Sequence, residues 1–221
     1  MFGNSTPVHS RQNGVHPDLE RVIERHMTSV WRAPAHEPSQ HAFLQWLTRV
    51  DVATRPLVLD SGCGTGASTR LLAERHPDSL VLGIDQSLSR LGSEAEEGVQ
   101  IAEQAWLLRA RAETVWSCLQ MRNRRVANHY LLYPNPWPKP EHLRRRWHCH
   151  PAWPLLLGIS ETIEVRSNWS VYIDEMATAL RLANRHVSLV ADFRPDSVLT
   201  PFEAKYLASG HSLFQVKAKP G

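Results

Sequence analysis

The chain has 221 residues, 42% of them hydrophobic and 21% charged, an ordinary globular balance able to fill one core. Its 25 Lys and Arg against 22 Asp and Glu leave a net charge of +3, which permits a nucleic-acid partner without requiring one. No apolar run approaches the ~20 residues that a membrane helix needs, and the polar start MFGNSTPVHSRQNG lacks the apolar stretch of a secretory signal. Cys63, Cys118 and Cys149 are odd in number and widely spaced, which reads as reduced and cytoplasmic.

Residues 1–17 are polar and turn-rich and read as a loose arm. From Pro17 the spacing predicts a helix with Leu19, Val22, Ile23 and Met27 on one face. APAHEPS breaks it, and QHAFLQWLTRV begins a second helix. From Arg55 short apolar strands alternate with helical segments. The predicted strands are Leu57–Asp60, Leu80–Asp85, Ala105–Arg109, Asn128–Tyr133, Glu161–Arg166, His186–Ala191 and Ser212–Lys217. The predicted helices are Ala67–Arg75, Glu113–Met121 and Val171–Ala183. Apolar runs between helices argue for strands buried on both faces, hence a largely parallel sheet. The expected organisation is an arm with two helices over 1–50 and one α/β domain over 51–221.

PLVLDSGCGTGAST is a strand, a glycine loop and a helix start. Gly62, Gly64 and Gly66 permit positive φ and a close backbone approach. The G-x-G-x-G spacing differs from the dinucleotide pattern, and Asp60 precedes it. Asp85 ends the next strand, roughly 20 residues on, where a carboxylate can accept ribose hydroxyls. An acid before the loop suits a ligand carrying an amino group, so the pair favours S-adenosylmethionine over a nicotinamide dinucleotide. Gln86, Arg111, Ala112 and Asn135 join the expected cofactor set only through the family resemblance described below.

HYLLYPNPWPKPEHLRRRWHCH, from His129, is a buried strand that stops at Pro134 and opens into a basic, aromatic loop. Lys139, Arg144, Arg145 and Arg146 can hold phosphates. Trp137 and Trp147 can stack on an extruded base, or pack as core. His148 and His150 straddle one residue with no second ligand pair at zinc spacing, so no metal site is expected.

At these residues the chain resembles a family. LDSGCGTG followed by GID resembles the class I methyltransferase, Rossmann-like fold: a seven-stranded, mostly parallel sheet with helices on both faces and an antiparallel last strand. YPNPWPKPEHLRRR resembles the signature FPDPWxKxxHxKRR of bacterial tRNA (guanine-N7)-methyltransferases. LTPFEAKYLASG is similar to that family's T-x-F-E stretch, and EVRSNWSVYIDEM sits where it has Thr-Asp. The resemblance covers Arg55 to Val216. It implies S-adenosylmethionine as cofactor and tRNA as partner, with Asn135 and Glu203 at the chemistry. It also implies Lys139, Arg144, Arg145, Arg146, Asn168, Thr200, Phe202 and Glu203 at the substrate.

Three positions depart from the family: Asn135, Asn168 and Arg111 stand where it has carboxylates. Guanine N7 carries a lone pair and no proton, so attack needs no general base. A carboxylate would stabilise the cation that develops on the base, whereas Asn135 offers only a carbonyl dipole. Glu203 could supply the missing charge, and Asn135 could instead merely shape a turn. Two other readings remain open: a methyltransferase of another nucleobase or small heteroaromatic, and a non-catalytic RNA-binding homologue. Monomer and homodimer are both compatible with the sequence.

Overall fold

β1, Leu57–Ser61, is buried at every residue, and so is β2, Leu80–Asp85. Neither strand alternates, because helices cover both faces. Fully burying each Leu, Val or Ile contributes about 1.5–3 kcal/mol, so such strands locate the core. The structure is a computed structural model, and it describes residues 4–51 and 54–221.

These residues form two bodies. The first spans Arg32–Leu131 with Gly158–Glu161. It opens with α2, Glu37–Arg49, after α1, Leu19–Met27, of the other body. Its sheet runs β3-β4-β2-β1-β5, with β3 at Val99–Ala102, β4 at Ala105–Arg109 and β5 at Val126–Leu132. Leu57 pairs Leu80, Val81 pairs Ala105 and Val58 pairs Asn128, all parallel. Only β3 runs antiparallel, against β4. The helices are α3, Ala67–Arg75, the short α4, Leu88–Leu91, and α5, Ala112–Met121.

The second body takes the chain up to Trp31, then Leu132–Leu157 and Thr162–Gly221. α6, Trp153–Ile159, leads into β6, Ser160–Ser167. α7, Ser170–Leu182, and β7, Arg185–Val190, follow, and then α8, Pro201–Ala208, and β8, Phe214–Pro220. β8 runs antiparallel to both β6 and β7, as the resemblance implied for the last strand.

The predicted strands and helices all form, with ends shifted by at most three residues except in the first helix, expected to run to Trp31 and ending at Met27. Three differences carry information. An eighth strand, β3, joins the expected seven; it is half exposed at the sheet edge and has no apolar run to announce it. Met27 is 40% exposed, so the inner face of α1 is Leu19, Val22 and Ile23 alone. The arm is not loose. Ser5 N–H donates to Ser209 Oγ (3.1 Å), and Gln12 and His16 are both bound to Glu175.

His129 on β5 is fully buried. Its ring bridges two hydroxyls of the first body, Ser61 Oγ at 2.8 Å and Ser160 Oγ at 2.7 Å. One nitrogen donates and the other accepts, so the ring is neutral, and burial pushes its pKa from 6.5 down to about 3. The unfolded chain binds the proton first. Stability from this group is therefore complete above about pH 6.5 and falls as pH drops towards 3, by about 2 kcal/mol at pH 5. Buried Asp60 acts in the opposite direction over part of this range, because its pKa is raised to about 6. Urea midpoints at pH 7 and pH 5 should therefore fall further for the wild type than for His129→Gln. Equal pH dependence in the two proteins would remove His129 as the source.

Candidate active site

Asp60 is the penultimate residue of β1 and is 1% exposed. Its Oδ2 accepts from Ser68 Oγ (2.6 Å) and Thr69 Oγ1 (2.8 Å), both in the first turn of α3. Its Oδ1 is buried without a hydrogen-bond partner. Burial is the main cause of its raised pKa of about 6, so at neutral pH it is largely a carboxylate with one unanswered oxygen.

The glycine loop lies beside it. Gly64 has φ +61°, and a Cβ there would meet nothing within 4 Å, so space stands open over the loop. Gly66 has φ +80°, and a Cβ would meet the Leu107 side chain at 2.5 Å, so the turn into α3 admits no side chain. Asp85, at the end of β2, accepts from Gly64 N–H (3.0 Å) and Ser87 N–H (2.8 Å), and Arg90 lies 3.7 Å away. Each of its oxygens keeps a further lone pair.

Beyond Asp85 is a cavity of about 500 Å³. Gln86, Arg109, Ala110 and Arg111 line it from the ends of β2 and β4, and His36 and Ser39 from α2. Ser39 was not legible as a site residue. Its Oγ accepts the Arg111 N–H (2.9 Å) and lies 2.8 Å from His36 Nδ1, which docks the start of α2 against the start of α5. Arg109 is paired with Glu96.

In the second body, β5 ends in the loop Tyr133–Arg146. Tyr133 and Trp137 hold positive φ, +53° and +46°, unusual for such side chains. Tyr133 is held by its N–H on Arg166 O (2.9 Å) and by its hydroxyl, which donates to Glu203 (2.7 Å). Asn135 is exposed, and its Oδ1 accepts the Trp137 N–H (3.3 Å), an Asx turn. The Arg145 guanidinium packs over the Trp137 ring at 4.8 Å, and His142 meets that ring edge-on. Lys139, Arg144 and Arg145 are exposed.

The sequence profile of the family Methyltransf_4, described as "Putative methyltransferase", matches residues 54–216. The chain belongs to this family. The methyltransferase is 28% identical over 179 residues to the tRNA (guanine-N(7)-)-methyltransferase of Leifsonia xyli subsp. xyli, covering 76% of this chain and 77% of that one. It is 26% identical to the enzyme of the same name from Acinetobacter baylyi, covering 72% and 67%. Its fold is shared by an antibiotic-related methyltransferase (TM-score 0.54, 14% identity, 87% and 96% of the two chains). A mutant 16S rRNA (adenine(1408)-N(1))-methyltransferase from Catenulisporales acidiphilia shares it too (TM-score 0.51, 20% identity, 86% and 95%).

The residues of the methyltransferase suit the expected S-adenosylmethionine. The unanswered Asp60 oxygen matches an ammonium, Asp85 retains acceptor capacity for hydroxyls, and Gln86 and Arg111 line a cavity. Ala112 opens α5 next to Arg111.

Three substrate residues are placed otherwise than expected. Arg146 is 0% exposed. Its guanidinium donates to Glu175 (2.6 Å), Gln12 Oε1 (2.9 Å) and Trp137 O (3.1 Å), leaving nothing for a phosphate. Glu203 is likewise 0% exposed and accepts from Tyr133, Arg166 and the Leu199 N–H, so it does not offer charge to a base. Thr200 caps α8, its Oγ1 accepting the Glu203 N–H (3.0 Å). T-P-F-E is thus a variant of the helix capping box, a signal present in the sequence. Asn168 donates to His211 Nδ1 (3.2 Å), whose other nitrogen binds Ser5 O. Phe202 is half exposed and stacked on Tyr206. Trp147 packs edge-on against His150. His148 is buried on Glu175 (2.9 Å), and among the described residues no three His, Cys, Asp or Glu converge on a metal position.

Removing one partner of a buried ion pair costs about 3–5 kcal/mol, and an exposed charge within about 0.5 kcal/mol. Arg146→Ala should therefore lower the denaturation midpoint strongly while Arg144→Ala leaves it near wild type; equal midpoints would contradict the buried assignment. Asp60 also sets a pH dependence. A cationic ligand needs its ionised form, so S-adenosylhomocysteine affinity should fall about tenfold per pH unit below about pH 6. In Asp60→Asn calorimetry should find weak binding with that slope gone; a persisting slope would assign the proton elsewhere.

Proposed function

We propose that this methyltransferase transfers a methyl group from S-adenosylmethionine to N7 of a guanine in tRNA, in the cytoplasm. The observation that carries the reading is the loop Tyr133–Arg146, which presents exposed Asn135, Lys139, Arg144 and Arg145 around a ring-stacked cation. The names of the relatives support it. S-adenosylmethionine supplies an electrophilic methyl on sulfonium sulfur. Asp60 holds the amino group of its methionyl portion and Asp85 its ribose, while Gln86 and Arg111 line the space beyond. Lys139, Arg144 and Arg145 hold phosphates. Asn135 orients the base, and N7 offers a lone pair, so the chain has no proton to remove. Positioning then carries the acceleration.

The commitment of Glu203 to Arg166 favours this division of labour, because no proton acceptor is demanded of it. Nucleoside mass spectrometry of tRNA from cells with and without the gene tests the reading: 7-methylguanosine should be lost from specific tRNAs. Asn135→Asp separates it from a substrate-switched enzyme. Aspartate keeps the turn, since a carboxylate oxygen also accepts the Trp137 N–H. It adds a charge beside the developing cation, so single-turnover methylation of tRNA should be faster. A mutant slower by tenfold to a hundredfold with tRNA binding intact, about what removal of one buried hydrogen bond costs, would mean that the Asn135 amide donates to an acceptor on a different substrate.

A further inference from the structure

The buried pair Arg146–Glu175 ties together two stretches far apart in the chain. Glu175 Oε1 accepts from Gln12 Nε2 (2.6 Å) and from the His16 N–H (3.0 Å). Arg146 donates to Gln12 Oε1, and also to the carbonyls of Trp137 and Lys139. Ser10 Oγ donates to Pro138 O, and the Gln12 N–H donates back to Ser10 Oγ (2.9 Å). The arm and the loop 137–139 are therefore set in one frame, centred on the fully buried Arg146 and Glu175.

Between them lies a cavity of about 450 Å³. Arg11 and His9 face it from the arm, and Lys139 and Glu141 from the loop. Arg11 and Lys139 are exposed, and among the described residues neither is held in an ion pair. Glu141 is the one carboxylate of the lining, so two cations outnumber it. Arg144 and Arg145 continue the positive charge along the same loop.

We propose that this cavity binds a phosphodiester group of the RNA substrate, with Arg11 and Lys139 as its cationic contacts. The N-terminal arm is then part of the RNA-binding surface, and Arg146 and Glu175 are positioning residues that hold Arg11 beside Lys139. The proposal rests on the tRNA reading. The volume exceeds that of one phosphate group and leaves room for the sugars on either side. Two cations on separately anchored backbones suit a diester whose neighbours also need partners, and the arginines of the loop supply them.

The test is tRNA affinity of the full chain over a salt series, with wild type, Arg11→Ala, Arg11→Ala/Lys139→Ala and Lys219→Ala. Arg11 and Lys139 are exposed, so their variants fold; Lys219 is an exposed cation at the end of β8 and serves as control. Removing one cation that neutralises a phosphate lowers the slope of log K against log salt by about 1. Arg11→Ala should reduce the slope by about one unit, the double variant by about two, and Lys219→Ala not at all. An unchanged slope for Arg11→Ala beside a steep wild-type slope overturns the cavity and leaves the tRNA reading standing. An equal reduction in Lys219→Ala also overturns it, because general charge then explains the effect. Inorganic phosphate that raises the melting temperature of wild type but not of Arg11→Ala, with identical RNA slopes, would make the cavity a free-anion site and likewise overturn the proposal. No tRNA affinity in the wild type would remove the tRNA reading itself, and the phosphodiester assignment with it.

Discussion

Glu175 is a carboxylate with no access to water, and the second body is arranged around what that requires. Taking one carboxylate and one guanidinium out of water costs several kcal/mol each, recovered only where every lone pair and N–H is answered. Glu175 is answered by Arg146, His148, Gln12 and the His16 amide. Burial would raise its pKa, but the hydrogen bonds and charges of His148 and Arg146 outweigh it and bring it down to about 2. Arg146 is answered in turn by Gln12 and by two loop carbonyls. The described part of the arm is thereby fixed by polar contacts, Gln12 and the His16 amide on Glu175 and Gln12 on Arg146. One atom of the cluster, His148 Nδ1, is buried without a hydrogen-bond partner.

A second buried cluster works the same way at the foot of the loop. Arg166 is shared by Glu164 and Glu203, and Gln215 donates to Glu164. Glu203 then accepts the Tyr133 hydroxyl, and that bond, with the Tyr133 amide on Arg166 O, holds a tyrosine in a left-handed conformation. Strain of order 1–3 kcal/mol persists only where neighbours over-determine it. The direction in which the chain runs on to Asn135 is thus set by the buried Arg166 and Glu203 beneath Tyr133.

The legible parts of the chain are those that follow one-dimensional rules. β1, β2 and β4 are apolar runs between helices, and α3 has its glycine entry, so their limits read almost residue for residue. Asp60 and Asp85 follow from strand ends, and an unpartnered Asp60 oxygen agrees with the amino-group reading. β3 is not legible because a four-residue edge strand, Val99 and Ile101 inward around exposed Gln100, is too short to stand out. α8 escapes for a different reason: T-x-F-E stands out as a site, while its spacing carries the plainer meaning of a cap. Three consecutive arginines are equivalent as letters. Only the turn Pro140–Arg145 decides that Arg144 and Arg145 face outward while Arg146 turns in under Trp169, and no local periodicity encodes that. The arm's docking cannot be read at all, since its partners lie more than 120 residues away in sequence.

The absent family carboxylates take on a sharper meaning beside these clusters. Glu164, Glu175 and Glu203 are all committed to arginines, and Asn135 spends its carbonyl on a turn. Arg111 gives its amide to Ser39. What the loop presents is therefore mostly cations, an aromatic face and neutral dipoles, with one exposed carboxylate, Glu141. Such a surface is well made for drawing in and holding a polyanion, and poorly made for taking a proton. An amine or hydroxyl acceptor must shed a proton to be methylated, so it would find little help there. A ring nitrogen with a free lone pair asks only to be placed against the methyl group.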